Sequence, residues 1–225
     1  SLFAQIDTEF WFVVPELSHR GSTGGTPGTL RISTLDLEAT VTVSMPANVF
    51  HPVLNPTGFP EIVVTIPAHD DAALDLTPFI DVAGNPVNRL ENKPLTPDGI
   101  NNIGLHIPAT NMINAYCEVN NEYAADLWTL KGSNGLGTLF YTPFQTVYDN
   151  RLIIPNAYSA IDIVATTDNT QVFITLPPGK AASYGSLPQN IPAGGTHTVT
   201  LNRGQTFSVF PLLYSHLAGD RLAGT

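Results

Sequence analysis

The sequence predicts an all-β protein made of two tandem antiparallel β-sandwich repeats, jelly-roll or Ig-like in type, of which the second is incomplete. Three observations lead to this prediction. Apolar and polar residues alternate along many short segments, turn-forming residues separate these segments, and the whole pattern occurs twice in the 225-residue chain. A half-buried strand alternates with a period of two, whereas a surface helix needs apolar spacings of three and four, which no segment of a dozen residues shows.

The alternating segments are rich in Thr, Val, Ile and Phe, which pack well on a pleated surface. Residues 30–34 and 39–45 alternate regularly, and residues 171–176 follow the same pattern less strictly. Between two such segments, Asp168 and Asn169 tolerate the left-handed backbone geometry that a hairpin tip needs. Many short strands separated by turns of this kind are typical of a β-sandwich.

The pattern repeats at an offset of about 130 residues, and such self-similarity indicates a duplicated unit. Residues 34–46 correspond to 165–177, and residues 64–67 correspond to 199–202. The second copy has no counterpart of the strand at 112–117, so we expect it to be incomplete. The expected segments, in chain order, are a signal-peptide remnant at 1–4, a first β-sandwich repeat at 5–119, a connecting loop at 120–135 and a second repeat at 136–225.

Composition and charge exclude several classes of protein. Only 12% of the residues are charged, and the formal net charge is -10. A nucleic-acid binder needs a basic face that displaces counterions, and an anionic membrane surface repels an acidic chain. No run approaches the roughly 20 apolar residues of a membrane-spanning helix. The single cysteine, Cys117, excludes a disulfide within the chain and lies in an apolar run, so we expect a buried thiol.

Candidate metal ligands and catalytic residues are few. None of the six histidines lies at metal-ligand spacing from another, which argues against a zinc site. Asp70, Asp71 and Asp168 are candidate calcium ligands, but the Asp-x-Asp-x-Asp spacing of a calcium loop is absent and turns explain these residues more simply. The Gly-x-Ser-x-Gly motif of a nucleophile elbow is also absent. We therefore expect neither a metal nor another cofactor, and no enzymatic activity.

Two sets of side chains near the middle of the chain are candidates for ligand binding. Glu118, Glu122 and Asp126 would serve glycoside hydrolysis if two of them faced each other across a cleft, although a polar loop is the simpler interpretation. Trp128 and Tyr123 would contribute to an aromatic platform for a sugar or a protein, and core packing is the alternative. The other aromatic residues considered for this platform are Trp11, Tyr116, Tyr141 and Tyr148.

Five short motifs occur in the order in which a known family carries them. They lie at residues 8–12, 114–116, 124–138, 164–170 and 201–207. On these motifs the sequence resembles the N-terminal domain of the IgGFc-binding protein family, from about Thr8 to Thr225. It departs from the family pattern in the Pro- and Asn-rich stretch 83–102 and in the apolar tip 35–37.

The resemblance implies an extracellular module without catalytic residues. The family occurs in a mucosal protein that binds the Fc part of immunoglobulin G, and in exported bacterial proteins, notably of Bacteroidetes, often ahead of a type 9 secretion sorting domain. We therefore expect a binding or adhesion module at the N-terminus of a larger bacterial surface protein, exported by a signal peptide. Its partner would be a protein or glycan on another surface, or neighbouring domains, contacted through loops such as 83–102 and 179–189.

Two alternatives stay open at this point. A structural subunit or spacer of a surface assembly would associate with itself through the open edge of the second repeat. A carbohydrate-active or carbohydrate-binding domain would depend on the central carboxylates, and replacing Glu122 by Gln would then abolish turnover of a glycan.

Overall fold

The computed structural model describes residues 6–16, 28–80, 90–93, 95–120, 125–142, 160–211, 222 and 225. These residues form strands, turns and two short 3-10 helices and contain no α-helix, which confirms the all-β prediction. They fall into two compact units. Unit 1 lies within Ser1–Glu91 and Ile103–Thr138, and unit 2 lies within Asn92–Asn102 and Leu139–Thr225. In the part of the chain described, no helix has the length and apolar character needed to cross a membrane.

Seven strands belong to each unit as described. Those of unit 1 are β1 (Ile6–Phe12), β2 (Gly28–Thr34), β3 (Ala39–Val43), β4 (Ile62–Ile66), β5 (Asp71–Asp75), β7 (Leu105–Asn120) and β8 (Ala125–Thr129). Those of unit 2 are β6 (Ile100–Asn101), β9 (Ile161–Val164), β10 (Thr170–Thr175), β11 (Ala182–Tyr184), β12 (Gln189–Ile191), β13 (Thr196–Leu201) and β14 (Thr206–Pro211). The 3-10 helices are Thr77–Phe79 and Gly132–Gly135.

Unit 1 is organised around β7, a 16-residue strand that pairs with four others. β2 pairs with residues 113–119 of β7 while β8 pairs with residues 116–120, so these two strands occupy opposite edges. The first two residues of β1 lie opposite Asn114 and Ile113, two residues of β7 that β2 also pairs with. Because β2 takes one edge of β7 there, β1 begins on the other edge, which β8 also occupies. β3 pairs with β7 at Ala109. Beyond these neighbours, β4 adds to β3 and β5 adds to β2.

Alternation along these strands fills the core of unit 1. Burial alternates along β2 and β3, and every second residue of β7 is buried on either side of 108–112, the stretch where β7 passes from β3 to β2. Each large apolar side chain that is fully buried contributes roughly 1.5–3 kcal/mol to folding. The largest fully buried side chains of this core are Phe10, Phe59, Leu30, Ile32, Met45, Ile66, Leu76, Ile80, Leu90, Leu105 and Ile107.

Unit 2 combines a two-stranded ribbon with a second sheet. β10 pairs with β13, while β14 pairs with β9, β6 and β11, and β12 extends β11. Phe207 and Val209 place one face of β14 in the apolar core. On the other face, the buried Thr206 donates a hydrogen bond to the side-chain oxygen of Asn92 at 2.9 Å, and Asn101 donates to the same oxygen at 3.0 Å. β14 is therefore buried on both faces, and the hydroxyl of Thr206 is paired.

The same four-strand arrangement occurs in both units. In unit 1, β2 pairs with β5 and β3 pairs with β4; in unit 2, β9 pairs with β14 and β10 pairs with β13. The registers also correspond. Val41 lies opposite Val64 in unit 1, and their sequence counterparts Val172 and Val199 lie opposite each other in unit 2. The duplication in the sequence thus reappears in the strand pairing, while the description of the units as tandem sandwiches stays a prediction.

Two segments differ from the division expected from the sequence. Residues 120–135, expected to be a connecting loop, contain β8 and a 3-10 helix. Although the stretch is polar, its pairing with β7 and the packing of Trp128 against the core stabilise a strand there. β6, expected in the first repeat, pairs with β14 of unit 2. The signal-peptide remnant expected at 1–4 lies outside the described residues.

Cys117 is a buried thiol, as the apolar run around it predicts. It is 2% exposed, and burial, assisted by the negative charge of Glu118, raises the pKa of its thiol to about 12. Because the thiolate is the reactive form, we expect a thiol reagent to label the native protein at mildly alkaline pH far more slowly than the protein in denaturant. Absorbance with a chromogenic disulfide reagent measures both rates, and rapid labelling of the native chain would contradict the burial.

His197 makes the stability of unit 2 sensitive to acid. Its ring lies 4.3 Å from that of Tyr184 and 5.5 Å from that of Phe207, and burial lowers the pKa of the imidazole. As the pH falls below about 6.5, the unfolded chain takes up a proton that the folded chain resists, so the free energy of unfolding decreases. We expect wild type to lose more stability than His197→Gln between pH 7.5 and pH 5.5 in denaturant titrations. Equal losses in the two proteins would refute this role.

Candidate binding site

The connection between β3 and β4 forms an ordered loop with an apolar, exposed tip. Val53 and Leu54 at the tip are 79% and 83% exposed, and Val49 and Phe50 on its flank are exposed as well. Residues 46–60 contain no Asp, Glu, Lys or Arg, although the chain as a whole is acidic. We call residues 46–60 the apolar finger. Large apolar side chains grouped on a surface in this way often mark a binding site.

The polar side chains of the finger fix the conformation of its tip. The backbones of His51 and Asn55 exchange two hydrogen bonds, of 2.9 and 3.0 Å. Nδ1 of His51 accepts hydrogen bonds from the backbone N–H groups of Val53 at 3.2 Å and Leu54 at 2.9 Å. The amide nitrogen of Asn55 donates to the side-chain oxygen of Asn48 at 2.9 Å. The exposed apolar side chains are therefore held on a preformed backbone.

The base of the finger is anchored in the core of unit 1. Met45 and Phe59, at its two ends, are fully buried, and the Phe59 ring lies 4.8 Å from the ring of Phe79. Gly58 is required because the second half of the finger approaches the first half closely at this residue. A Cβ there would lie 2.6 Å from the carbonyl oxygen of Val49, a distance that no side chain can occupy.

The equivalent connection in unit 2 has a different role. Between β10 and β13 the chain forms β11 and β12, and β11 folds back to pair with β14. Its residues Ala182 and Ile191 are buried, and Tyr184 packs against Phe207 with 5.2 Å between ring centroids. Unit 2 therefore uses this connection for its own core, whereas unit 1 presents it to solvent.

Polar side chains join two turns of unit 2. The Asp168 carboxylate accepts a hydrogen bond from the backbone N–H of Arg203 at 3.0 Å, and the side-chain oxygen of Asn202 accepts one from the backbone N–H of Asn169 at 3.2 Å. Asn169 and Gly204 have positive φ angles of 57° and 81°, which suit Asn and Gly. We call this pair of joined turns the turn clamp. It gives a structural reason for the residue types in the motifs at 164–170 and 201–207.

The candidate calcium ligands take part in turns. Asp70 accepts a hydrogen bond from the backbone N–H of Asp71 at 2.9 Å, and Asp168 belongs to the turn clamp. Asp71 is exposed at the start of β5. Within the described ranges, no group of three or more His, Cys, Asp or Glu side chains is placed to hold a metal ion.

The central carboxylates are not gathered into one cleft by the described strands. Glu118 lies opposite Leu127 and forms an ion pair with Arg31 at 2.7 Å, while Asp126 lies opposite Val119. Because neighbouring residues of a strand point to opposite faces, Glu118 and Asp126 lie on different faces of the β7–β8 pair. Glu122 falls outside the described residues.

The aromatic candidates are divided between the core and the surface. Trp128 is half-buried, packs against the core of unit 1 and lies 6.5 Å from Phe12. Trp11 stacks on His106 with 4.3 Å between the ring centroids. The indole N–H of Trp11 donates a hydrogen bond to a carboxylate oxygen of Glu9 at 3.2 Å, and Nε2 of His106 forms a hydrogen bond with the same oxygen at 2.8 Å. Tyr123 lies outside the described residues. The structure thus favours the core alternative for Trp128.

Sequence reasoning did not single out the apolar finger. The available signal was a stretch with four prolines, one glycine and no acidic or basic residue between two alternating segments. Apolar residues at 49, 50, 53 and 54 do not follow a strand period, so their exposure could not be read from the pattern. Two other loops were considered instead. The first, 83–102, lies partly outside the described residues, and the second, 179–189, contains β11 and the first residue of β12.

Comparison with known proteins finds a similarity to one family in the second half of the chain. Residues 127–225 match the family model described as IgGFc binding protein. This match covers less than half of the chain, and over that part it confirms the resemblance seen in the sequence. The matched span includes the turn clamp of unit 2, and the apolar finger precedes it. Among curated proteins and solved structures, nothing matches the chain.

The turn clamp provides a direct test of how the family motifs act. We expect Asp168→Ala to lower the free energy of unfolding by about 1 kcal/mol, because the N–H of Arg203 loses its acceptor. Asp168→Asn keeps an oxygen at this place and should retain most of the stability. Asp36→Ala is the matched control, since the Asp36 side chain is 91% exposed and its His69 partner is 3.7 Å away. Denaturant titration measures all three, and an equal effect of Asp36→Ala and Asp168→Ala would contradict the clamp.

Proposed function

We propose that this chain is a non-enzymatic, extracellular binding module whose ligand is a protein. The observation that carries the proposal is the match of residues 127–225 to the IgGFc-binding family. Members of a fold can differ in function, so the family supports the class of activity, and loops on the scaffold decide the ligand. The acidic charge and the exposed, ordered finger agree with recognition of another protein.

The setting we propose is the surface of a bacterial cell. There the module would stand at the N-terminus of a larger exported protein and would contribute to adhesion, as in the exported bacterial proteins that carry domains of this family. A rigid β scaffold with projecting loops suits this task, because the strands hold the loops in place while the loop sequences change. Support for this setting comes from the family resemblance and from the motif order in the chain.

The first ligand to test is the Fc fragment of immunoglobulin G, because the matching family model carries that name. We expect the purified chain to bind immobilised Fc with a dissociation constant in the micromolar range or below, measured by biolayer interferometry. The Fab fragment is the matched control, since it has the same immunoglobulin-type domains without the Fc surface. No binding to Fc, or equal binding to Fab, would contradict Fc recognition.

A further inference from the structure

We propose that the apolar finger docks, tip first, into an apolar pocket of a protein partner whose pocket is bordered by basic residues. This inference rests on the proposed function, because it names the surface through which a protein ligand is held. The finger is a loop of unit 1, and it lies outside the residues that match the family model.

The exposure of the tip is the first argument. Val53 and Leu54 are more exposed than the other large apolar side chains of the described residues. Together with Val49 and Phe50 they present apolar surface on the order of a few hundred Å2, which is the size of the largest, often functional, patches on monomeric proteins. Exposing this surface costs free energy in water, and a partner that covers it would recover that free energy.

The rigidity of the tip is the second argument. Two hydrogen bonds to Nδ1 of His51 and the paired backbones of His51 and Asn55 hold Val53 and Leu54 before any partner arrives. A preformed loop loses little conformational entropy on binding, and a few rigid apolar anchors commonly supply most of the affinity of an interface. His51 acts here as a positioning residue.

Composition favours a protein over a membrane. Segments that lie in a bilayer surface combine apolar residues with Lys and Arg, which contact anionic lipids, and with Trp and Tyr in the headgroup layer. Residues 46–60 contain none of these four residue types. A second copy of this chain is also disfavoured, because both copies would carry a charge of -10 and would repel each other.

The charge of the chain defines the surroundings of the pocket. An acidic module with an uncharged tip is steered towards a basic surface, while the tip itself meets apolar groups. The association rate should therefore fall as the salt concentration rises, whereas the dissociation rate should depend mainly on the tip.

The test compares the Fc affinity of finger variants with that of wild type. We expect Val53→Asp and Leu54→Asp to raise the dissociation constant about 30-fold or more, because each places a charge in the apolar pocket. Leu37→Asp is the matched control, since Leu37 is a 61% exposed leucine in the turn between β2 and β3 and should bind as wild type does. His51→Ala should weaken binding, and His51→Asn, which restores an acceptor, should recover it. Unchanged thermal unfolding shows that the variants are folded.

The outcomes separate the finger from the proposed function. If wild type binds Fc and the finger variants bind equally well, the finger proposal is overturned while Fc recognition stands. If wild type binds vesicles of phosphatidylcholine and Leu54→Asp abolishes this binding, a membrane replaces the protein partner and the proposal fails.

If wild type does not bind Fc, the labelling rate of the Leu54→Cys variant decides whether the finger is docked into another protein. The native Cys117 is buried, so a maleimide reports on position 54. Slower labelling on intact cells that produce the full protein than on the purified chain, with the difference abolished by Phe50→Asp, would support the docked finger. Equal labelling rates would overturn it.

Discussion

The structure of unit 1 depends on the backbone pairing of one strand, β7. This 16-residue strand holds β1 and β8 along one edge and β3 and β2 in succession along the other, so its hydrogen bonds set the register of every neighbour. Side chains along a strand alternate with a period of two, and a slip of one residue would turn the buried side of a neighbour to water. The position of β3 against β7 also decides where the apolar finger leaves the sheet, because the bridge between Ser44 and His106 ends this pairing just before the finger begins.

Unit 2 shows how the same four-strand plan is used for a different purpose. Its β10–β13 connection returns to the sheet as β11 and β12, and its turns are joined by the side chains of Asp168 and Asn202. In unit 1 the corresponding turns are joined through Thr34, which bonds the backbone of Asp70. The residues of these two sequence motifs in unit 2 therefore stabilise the scaffold, whereas the β3–β4 connection of unit 1 and the β10–β13 connection of unit 2 differ in form.

Much of the fold could be predicted because a strand's signal is local. Alternation located β3 and β10, and the duplicated pattern matched Val41 with Val172 at the register that the pairing shows. The signal failed for β8, since its five residues follow a polar stretch and its stability comes from pairing with β7. The partner of Asp168 is the backbone of a residue 35 positions away, which no local pattern contains. Exposure of the finger was equally hidden, because an apolar residue in a loop gives the same sequence signal whether it is covered or not.

The anchoring of the finger has an evolutionary consequence. Met45 and Phe59 fix its two ends in the core, and the hydrogen bonds that shape the tip are made within the loop itself. The side chains at 49, 50, 53 and 54 can therefore be exchanged without disturbing any strand register. Under the proposed docking role, selection could redirect the loop to a different partner by changing these four side chains, and a protein engineer could graft a different sequence at the same place.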